Sequence, residues 1–178
     1  MSDGRGGWDR LWSRSLAVGG TTVGYDRLRR PDGERTGYGW IGDRGSAAVV
    51  ARDGDRVVLI EEYRPRLGET VLSCPVGSVE AGESFREAGR RELREETGFA
   101  AGRAEVLAEH YPVAWLRKPR GVVFADDLSA GDRRLEDDEF VDVRTVPVAD
   151  AVETVRGREP ATGWTLLPLL LAREAGRL

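Results

Sequence analysis

Apolar positions fall in two kinds of spacing along this chain. From residue 12 to residue 40, short apolar stretches are broken by Gly19-Gly20 and by Arg30-Pro31-Asp32-Gly33. Strand-length runs cut by such turn residues predict a small antiparallel β element. Residues 1–12, Gly-rich and polar, read as frayed. The segment GSAAVVARDGDRVVLIEEYRP places two apolar runs around Asp53-Gly54, a dipeptide suited to a hairpin turn. A loop at 64–68 leads to a short strand at 70–72 that stops at Pro75. Ser84 opens a helical pattern. Ser84 and Glu87 have the spacing of a capping box, in which each side chain satisfies a backbone N–H that the first turn leaves unpaired. The helix runs through Glu96 and ends at Gly98, the residue type best suited to a left-handed C-cap. Beyond it, strands are predicted at 104–111, 121–125 and 140–146, and helices at 148–155 and 162–175. Strands and helices alternate without a regular βαβ rhythm, which predicts an α/β fold with a mixed sheet and helices on its faces. Residues 1–44 read as an N-terminal β-rich annex and 45–178 as the main domain.

Composition narrows the chemistry. The chain has 178 residues, 40% hydrophobic and 33% charged, a balance typical of a globular domain with a buried core. Its net charge is -4 and no basic patch stands out, so no nucleic-acid partner is expected. The longest apolar run, 166–172, is too short to span a bilayer, and the first residues lack the apolar core of a signal peptide. A cytoplasmic protein with no membrane partner is therefore expected. One cysteine, Cys74, rules out an internal disulfide, and one histidine, His110, leaves no Cys/His cluster for zinc. Cys74 reads as a small buried hydrophobe, His110 as a structural residue, and Trp8, Trp12, Trp40 and Trp164 as packing residues. Chemistry, on this composition, belongs to carboxylates.

The segment GSVEAGESFREAGRRELREETGF, residues 77–99, concentrates them. On a helix Glu92, Glu95 and Glu96 are three and four residues apart, so they share one face beside Gly89 and Leu93. Like charges so close need something positive among them, and hard divalent cations, which take oxygen ligands, fit that need. Glutamate runs are also common on solvated helices, and the triplet alone would favour that reading. The surrounding residues tip the balance. Gly77, five residues, Glu83, seven residues, Arg91-Glu92-Leu93, one residue, Glu95-Glu96, one residue and Gly98-Phe99 reproduce the Nudix box at every defining position. The chain thus resembles the Nudix hydrolases.

That resemblance implies an α/β/α sandwich with a mixed sheet. It also implies attack of water on a diphosphate linkage, with Mg2+ as cofactor and Mn2+ as an alternative. By the same resemblance Glu92, Glu95 and Glu96, with the backbone carbonyl of Val76, are the metal ligands, and Glu95 is counted with the catalytic residues. Glu83 and Arg91 are the pair fixing the loop to the helix, with Gly77 and Gly98 as structural residues of the motif. Outside the box, over about 45–175, the chain looks most like the ADP-ribose and nucleoside-diphosphate-sugar pyrophosphatases. Glu62-Tyr63-Arg64 resembles their Gln-Tyr-Arg, with Arg64 on a phosphate, and Cys74-Pro75-Val76-Gly77 resembles their Leu-Pro-Ala-Gly. Thr162-Gly163-Trp164 resembles the start of their last helix. The acidic stretch 136–140 resembles the loop that supplies the catalytic base, a role carried to Glu139. The implied substrate is a small nucleoside diphosphate linked to a sugar, and the annex implies a homodimer.

Two positions depart from that group. The usual Ser-Pro-Gly and acidic loop are replaced by YPVAWLRKPR, residues 111–120. Either Trp115 stacks on a base or sugar while Arg117, Lys118 and Arg120 meet phosphate charge, or this is a surface tryptophan beside a solvated basic turn. Gly89 stands where the group prefers alanine, which suggests close packing. A Nudix hydrolase for another nucleotide, such as a triphosphate, stays open, as does a silent Nudix-like sensor. An isoprenoid-diphosphate isomerase would want its cysteine elsewhere.

Overall fold

A computed structural model describes residues 6–42, 44–135 and 140–178. Its contacts divide the chain into two compact units, one formed by the described residues up to Arg44 with Tyr111–Pro119, the other by Gly45–His110 with the described residues from Arg120 onward.

In the first unit β1 (Asp9–Val18), β2 (Thr21–Arg29) and β3 (Arg35–Gly42) form an antiparallel meander. The apolar runs and turn residues of 12–40 predicted it. A fourth strand, β9 (Leu116–Arg117), returns from far along the chain to lie parallel to β3. Nothing in its two residues announces a strand; pairing with Ile41 and Gly42 makes it one.

The second unit is built on a mixed sheet of β4 (Ser46–Asp53), β5 (Arg56–Arg64), β6 (Glu69–Ser73), β7 (Val76–Ser78), β8 (Phe99–His110), β10 (Arg120–Ala130) and β11 (Val141–Pro147). The strand order is β11-β5-β4-β10-β8, with β6 paired to β5 and β7 to β4. Only β4 and β10 run parallel; the other pairs are antiparallel. A two-residue turn at Gly54-Asp55 joins β4 to β5, the hairpin that the sequence predicts around Asp53-Gly54. Three helices complete the unit: α1 (Phe85–Thr97), α2 (Ala151–Arg156), preceded by a single 3-10 turn at Val148–Asp150, and α3 (Gly163–Glu174).

Alternation along the strands builds two cores. Val49, Ala51, Val58, Val123 and Ala125 face Ala88 and Leu93 of α1. Their neighbours Val50, Val57, Leu59 and Phe124 face Ala151, Val152 and Val155 of α2 and Leu169 and Ala172 of α3. Successive side chains of a strand point to opposite faces, so a sheet covered on both sides reads as a continuous apolar run. The result is an α/β/α sandwich. Gly89 lets α1 sit close on β10, since a Cβ there would lie 3.0 Å from a Val123 methyl. No helix of the described residues is long and apolar enough to cross a membrane.

Among the differences from the sequence expectations, β1 already begins at Asp9, inside the stretch read as frayed, and the strand expected at 121–125 runs from Arg120 to Ala130. The strand expected at 104–111 begins at Phe99, because β10 pairs with it along its whole length to Ala130. Strand β7 was not expected: three residues behind a proline carry no periodicity. The helix expected at 148–155 opens as the 3-10 turn and becomes α-helical at Ala151.

Leu93 is fully buried between α1 and the sheet. Leu93→Ala is expected to lower stability by about 2–5 kcal/mol, the usual range for a core leucine that leaves a cavity. Urea unfolding measures it, and a loss below about 1 kcal/mol would mean that α1 is not anchored through this residue.

Candidate active site

Helix α1 starts and stops as its sequence directs. Ser84 accepts a bond from the Glu87 amide while the Glu87 carboxylate accepts from the Ser84 amide, completing the capping box. At the other end Gly98 takes a left-handed conformation, φ 80°, and its N–H donates to the Arg94 carbonyl. These ends fix the rotation of the helix, and with it the face that carries Glu92, Glu95 and Glu96.

Arg91 organises that face. Its Nε donates to Glu83 Oε1 at 2.9 Å, and Nη2 to Glu83 Oε2 at 3.1 Å and to the Ser78 carbonyl at 2.7 Å. Its Nη1 donates to Glu92 Oε1 at 2.8 Å and Glu95 Oε2 at 2.9 Å. A guanidinium has five N–H donors, and all five are used. The hydrogen bonds it donates to Glu83 lead the causes that raise the Arg91 pKa above its ordinary value, and Arg91 in turn holds the Glu83 carboxyl below the usual range. The expected pair of Glu83 and Arg91 is therefore present. Arg91 also supplies the positive charge between Glu92 and Glu95, a place that sequence reasoning had given to divalent ions alone.

Glu92 and Glu96 are buried, at 7% and 2% exposure. Glu96 Oε2 accepts from the Val76 amide at 2.9 Å. Val76 thus meets Glu96 through its N–H. Gly77 lies against Glu92 so closely that a Cβ would stand 1.9 Å from Glu92 Oε1. Any larger residue there would have to displace the Glu92 carboxylate from its bond with Arg91, which gives the first residue of the box a physical reason. Among the described residues no group of three or more His, Cys, Asp or Glu side chains closes into a metal-holding set. The donors nevertheless suit a hard divalent ion: they are carboxylate oxygens, and two of the glutamates are buried against the backbone of β7 at Val76-Gly77.

The proposed base, Glu139, lies outside the described residues, as does the rest of 136–139. The described residues that precede them are held to the end of α1. The Gly131 amide donates to the Gly98 carbonyl at 2.7 Å and the Arg134 amide to the Glu95 carbonyl at 3.1 Å. Arg133 joins the end of α1 to β11, with Nε donating to the Glu96 carbonyl at 2.6 Å and Nη2 to the Val141 carbonyl. Sequence reasoning missed Arg133; the basic pair beside an acidic run was its only signal.

The expected substrate contacts are divided between the two units. Arg64 ends β5 and pairs with Glu62 at 2.8 Å. Trp115 is exposed, within the first unit. In the same unit Arg117 is bonded to the buried Asp26 and lies 4.3 Å from the Trp40 ring centroid. Ser13 and Trp40 also donate to Asp26, at 2.6 and 2.9 Å. Burial pushes the Asp26 carboxyl up, but these hydrogen bonds outweigh it and hold it below its ordinary value. Residues 115–120 are thus not one basic turn: Arg117 belongs to β9 and Arg120 to β10 of the other unit. Cys74 is buried in the α2/α3 core, and desolvation, helped by the charge of Glu96, pushes its thiol up to about 12. It is no nucleophile at neutral pH.

Comparison with known proteins agrees with this arrangement. The NUDIX domain profile matches residues 42–170, so the chain belongs to the Nudix family. It is a Nudix hydrolase. It is 32% identical over 133 residues to an ADP-ribose pyrophosphatase of Bacillus subtilis (strain 168), covering 72% of each chain. It is 27% identical over 146 residues to a methanol dehydrogenase activator of Bacillus methanolicus, covering 74% of this chain and 73% of that one. A crystal structure of an ADP compounds hydrolase superposes with a TM-score of 0.85 at 24% identity, covering 96% of this chain and 97% of that one.

The Glu83 to Arg91 pair has a defined pH signature. The Arg91 guanidinium holds the folded-state pKa of Glu83 below the ordinary 4.5 of a glutamate, so the pair's stabilisation is present above that pH and is lost as pH falls through the depressed value. The stability gap between wild type and Glu83→Gln, followed by urea unfolding, should therefore be steady near neutrality and shrink in acid. A gap that widened on acidification would contradict the pairing.

Proposed function

We propose that this chain hydrolyses the diphosphate linkage of a nucleoside diphosphate joined to a sugar, of the ADP-ribose type, with magnesium as cofactor and manganese as a substitute. The observation that carries the reading is the pair of buried carboxylates, Glu92 and Glu96, held against β7 at Val76-Gly77 beside Glu95. Nudix hydrolases generally use divalent metal ions. The names of the relatives favour an ADP-linked substrate.

In this reading Glu92, Glu95, Glu96 and the Val76 carbonyl hold the ions, which when bound neutralise the diphosphate oxygens and make water more acidic. Arg91 keeps Glu92 and Glu95 aimed, and its bond to the Ser78 carbonyl ties the loop to the helix. Glu139 takes the proton of the attacking water, a contribution on the order of 100- to 10,000-fold. Arg64, at the end of its strand, pairs with a phosphate oxygen. The exposed ring of Trp115 offers a stacking face to a base. Arg117, already bonded to Asp26, is assigned to holding β9 rather than to substrate. A cytoplasmic setting belongs to the same reading and rests on the single buried cysteine, which leaves no disulfide to form.

The first unit is read as a homodimer element. Cross-strand register puts Trp12, Arg14, Leu16 and Val18 on one face with Val23 and Tyr25. The five apolar members are exposed, Leu16 at 69%. An apolar sheet face of this kind suits a second copy of the chain.

Incubating the protein with nucleotide sugars, dinucleotides and triphosphates plus magnesium, and identifying the products, tests the substrate. The expected result is a nucleoside monophosphate and a sugar phosphate from the ADP-linked compounds. Glu96→Gln should lose turnover by orders of magnitude while remaining folded, because one fewer charge relieves repulsion in the cluster. Glu139→Gln should slow turnover with little change in metal affinity. Full activity in Glu96→Gln would remove the metal assignment. For the dimer, light scattering should give twice the chain mass for wild type and a monomer for Leu16→Arg; a monomeric wild type ends that proposal.

A further inference from the structure

The sheet face opposite α1 holds a cation that the glutamate cluster does not use. Arg120, the first residue of β10, is only 7% exposed. Its register places it opposite His110 of β8 on one side and Ser46 of β4 on the other. Directly paired residues project to the same face, with strands about 4.8 Å apart, so the three side chains form one short row. Alternation from Arg120 to Phe124, and from Ser46 to Val50, puts the row on the side covered by α2 and α3. Trp164 of α3 lies there against the Arg120 guanidinium.

Three buried polar atoms in this row have no hydrogen-bond partner: Arg120 Nε, His110 Nδ1 and Ser46 Oγ. Among the described residues no carboxylate pairs with Arg120. Buried polar atoms are nearly always bonded, and buried charges are nearly always paired. Here a guanidinium nitrogen, an imidazole nitrogen and a hydroxyl belong to one row without hydrogen-bond partners, and the Trp164 ring is the neighbour of the guanidinium. Each can donate to an oxygen, and the guanidinium fork suits two oxygens of one anion. Burial pulls Arg120 down to about 9, and burial together with the Arg120 charge lowers His110. A bound anion would reverse both effects.

We infer that Arg120, flanked by His110 and Ser46, is a binding site for a phosphate-type oxyanion, on the opposite face of the sheet from the glutamate cluster. The anion is either free inorganic phosphate or the phosphoryl group of a nucleotide. Neither the site nor its test requires that the chain hydrolyse anything.

His110 is the only histidine in the chain, so its ring resonances report on this site without ambiguity. The full chain would be titrated near neutral pH with inorganic phosphate and, separately, with AMP, at constant ionic strength. A chelator keeps divalent ions from holding either anion at the glutamates. A saturable shift of the His110 ring signals is expected with at least one of the two. A shift with phosphate alone identifies the free anion, and a shift with AMP the nucleotide phosphoryl group. Arg120→Leu should abolish the shift and the rise in Tm that the anion produces. Without anion it should be at least as stable as wild type, because an unpaired buried charge has been removed. Should that variant not fold, Ser46→Ala and Arg120→Lys carry the comparison, each weakening binding by roughly three- to tenfold. No saturable shift with either anion up to about 20 mM, well above a millimolar dissociation constant, would overturn the inference. So would equal binding by the variants.

Discussion

Carboxylates gathered on one face of a helix repel one another, and the way this repulsion is answered governs the rest of the site. The answer within the protein is a single guanidinium. Arg91 reaches Glu83, Glu92, Glu95 and the Ser78 carbonyl at once, joining the helix to the loop that precedes it. Replacing any one of these acceptors would leave a buried or half-buried donor unpaired, which costs about 1–3 kcal/mol. The Gly77 contact adds a steric limit to this electrostatic one: a side chain at 77 would push the Glu92 carboxylate out of its present place. Spacing in the motif is thus the spacing at which one arginine can span a loop and two turns of helix.

The sheet separates two environments. On the α1 side the apolar contacts are small, Ala47, Ala51, Ala88 and Ala125 among them, so the acidic helix lies close to the strands. On the α2/α3 side bulkier residues fill the space, including Leu59, Leu72, Phe124 and Leu169. That second core ends, at the start of β10, in the row of Ser46, Arg120 and His110. Polar atoms there are isolated by the same packing that buries their apolar neighbours, which makes their lack of partners costly rather than neutral.

In the first unit a buried carboxylate again sets the local structure. Asp26 accepts from Ser13, Trp40 and Arg117, which come from three different strands of the four-stranded sheet. A side chain from residue 117 is needed to complete a shell begun at residue 13, so β9 is bound to the meander by charge as well as by its two-residue pairing. The opposite face of that sheet is apolar and exposed, and this asymmetry underlies the reading of the unit as an association surface.

What the amino-acid sequence determined by itself is local. The capping box at Ser84 and Glu87, the stop at Gly98, the hairpin around Asp53-Gly54 and the meander of 12–40 each follow from residues a few positions apart, and each is present. The spacing of Gly77, Glu83, Arg91 and the glutamates was also legible, because a helix converts sequence offsets directly into a shared face. Tertiary structure decided what depends on residues distant in the chain. Strand β9 exists because Ile41 and Gly42 are there to pair with it, and β8 begins at Phe99 because β10 extends to meet it. Arg117 and Arg120, three residues apart and alike in sequence, part company for the same reason. One is drawn to Asp26, ninety-one positions away; the other enters a sheet between His110 and Ser46. A basic run looks uniform until long-range pairing assigns each cation its neighbours, since charge type is written in the sequence and its surroundings are not.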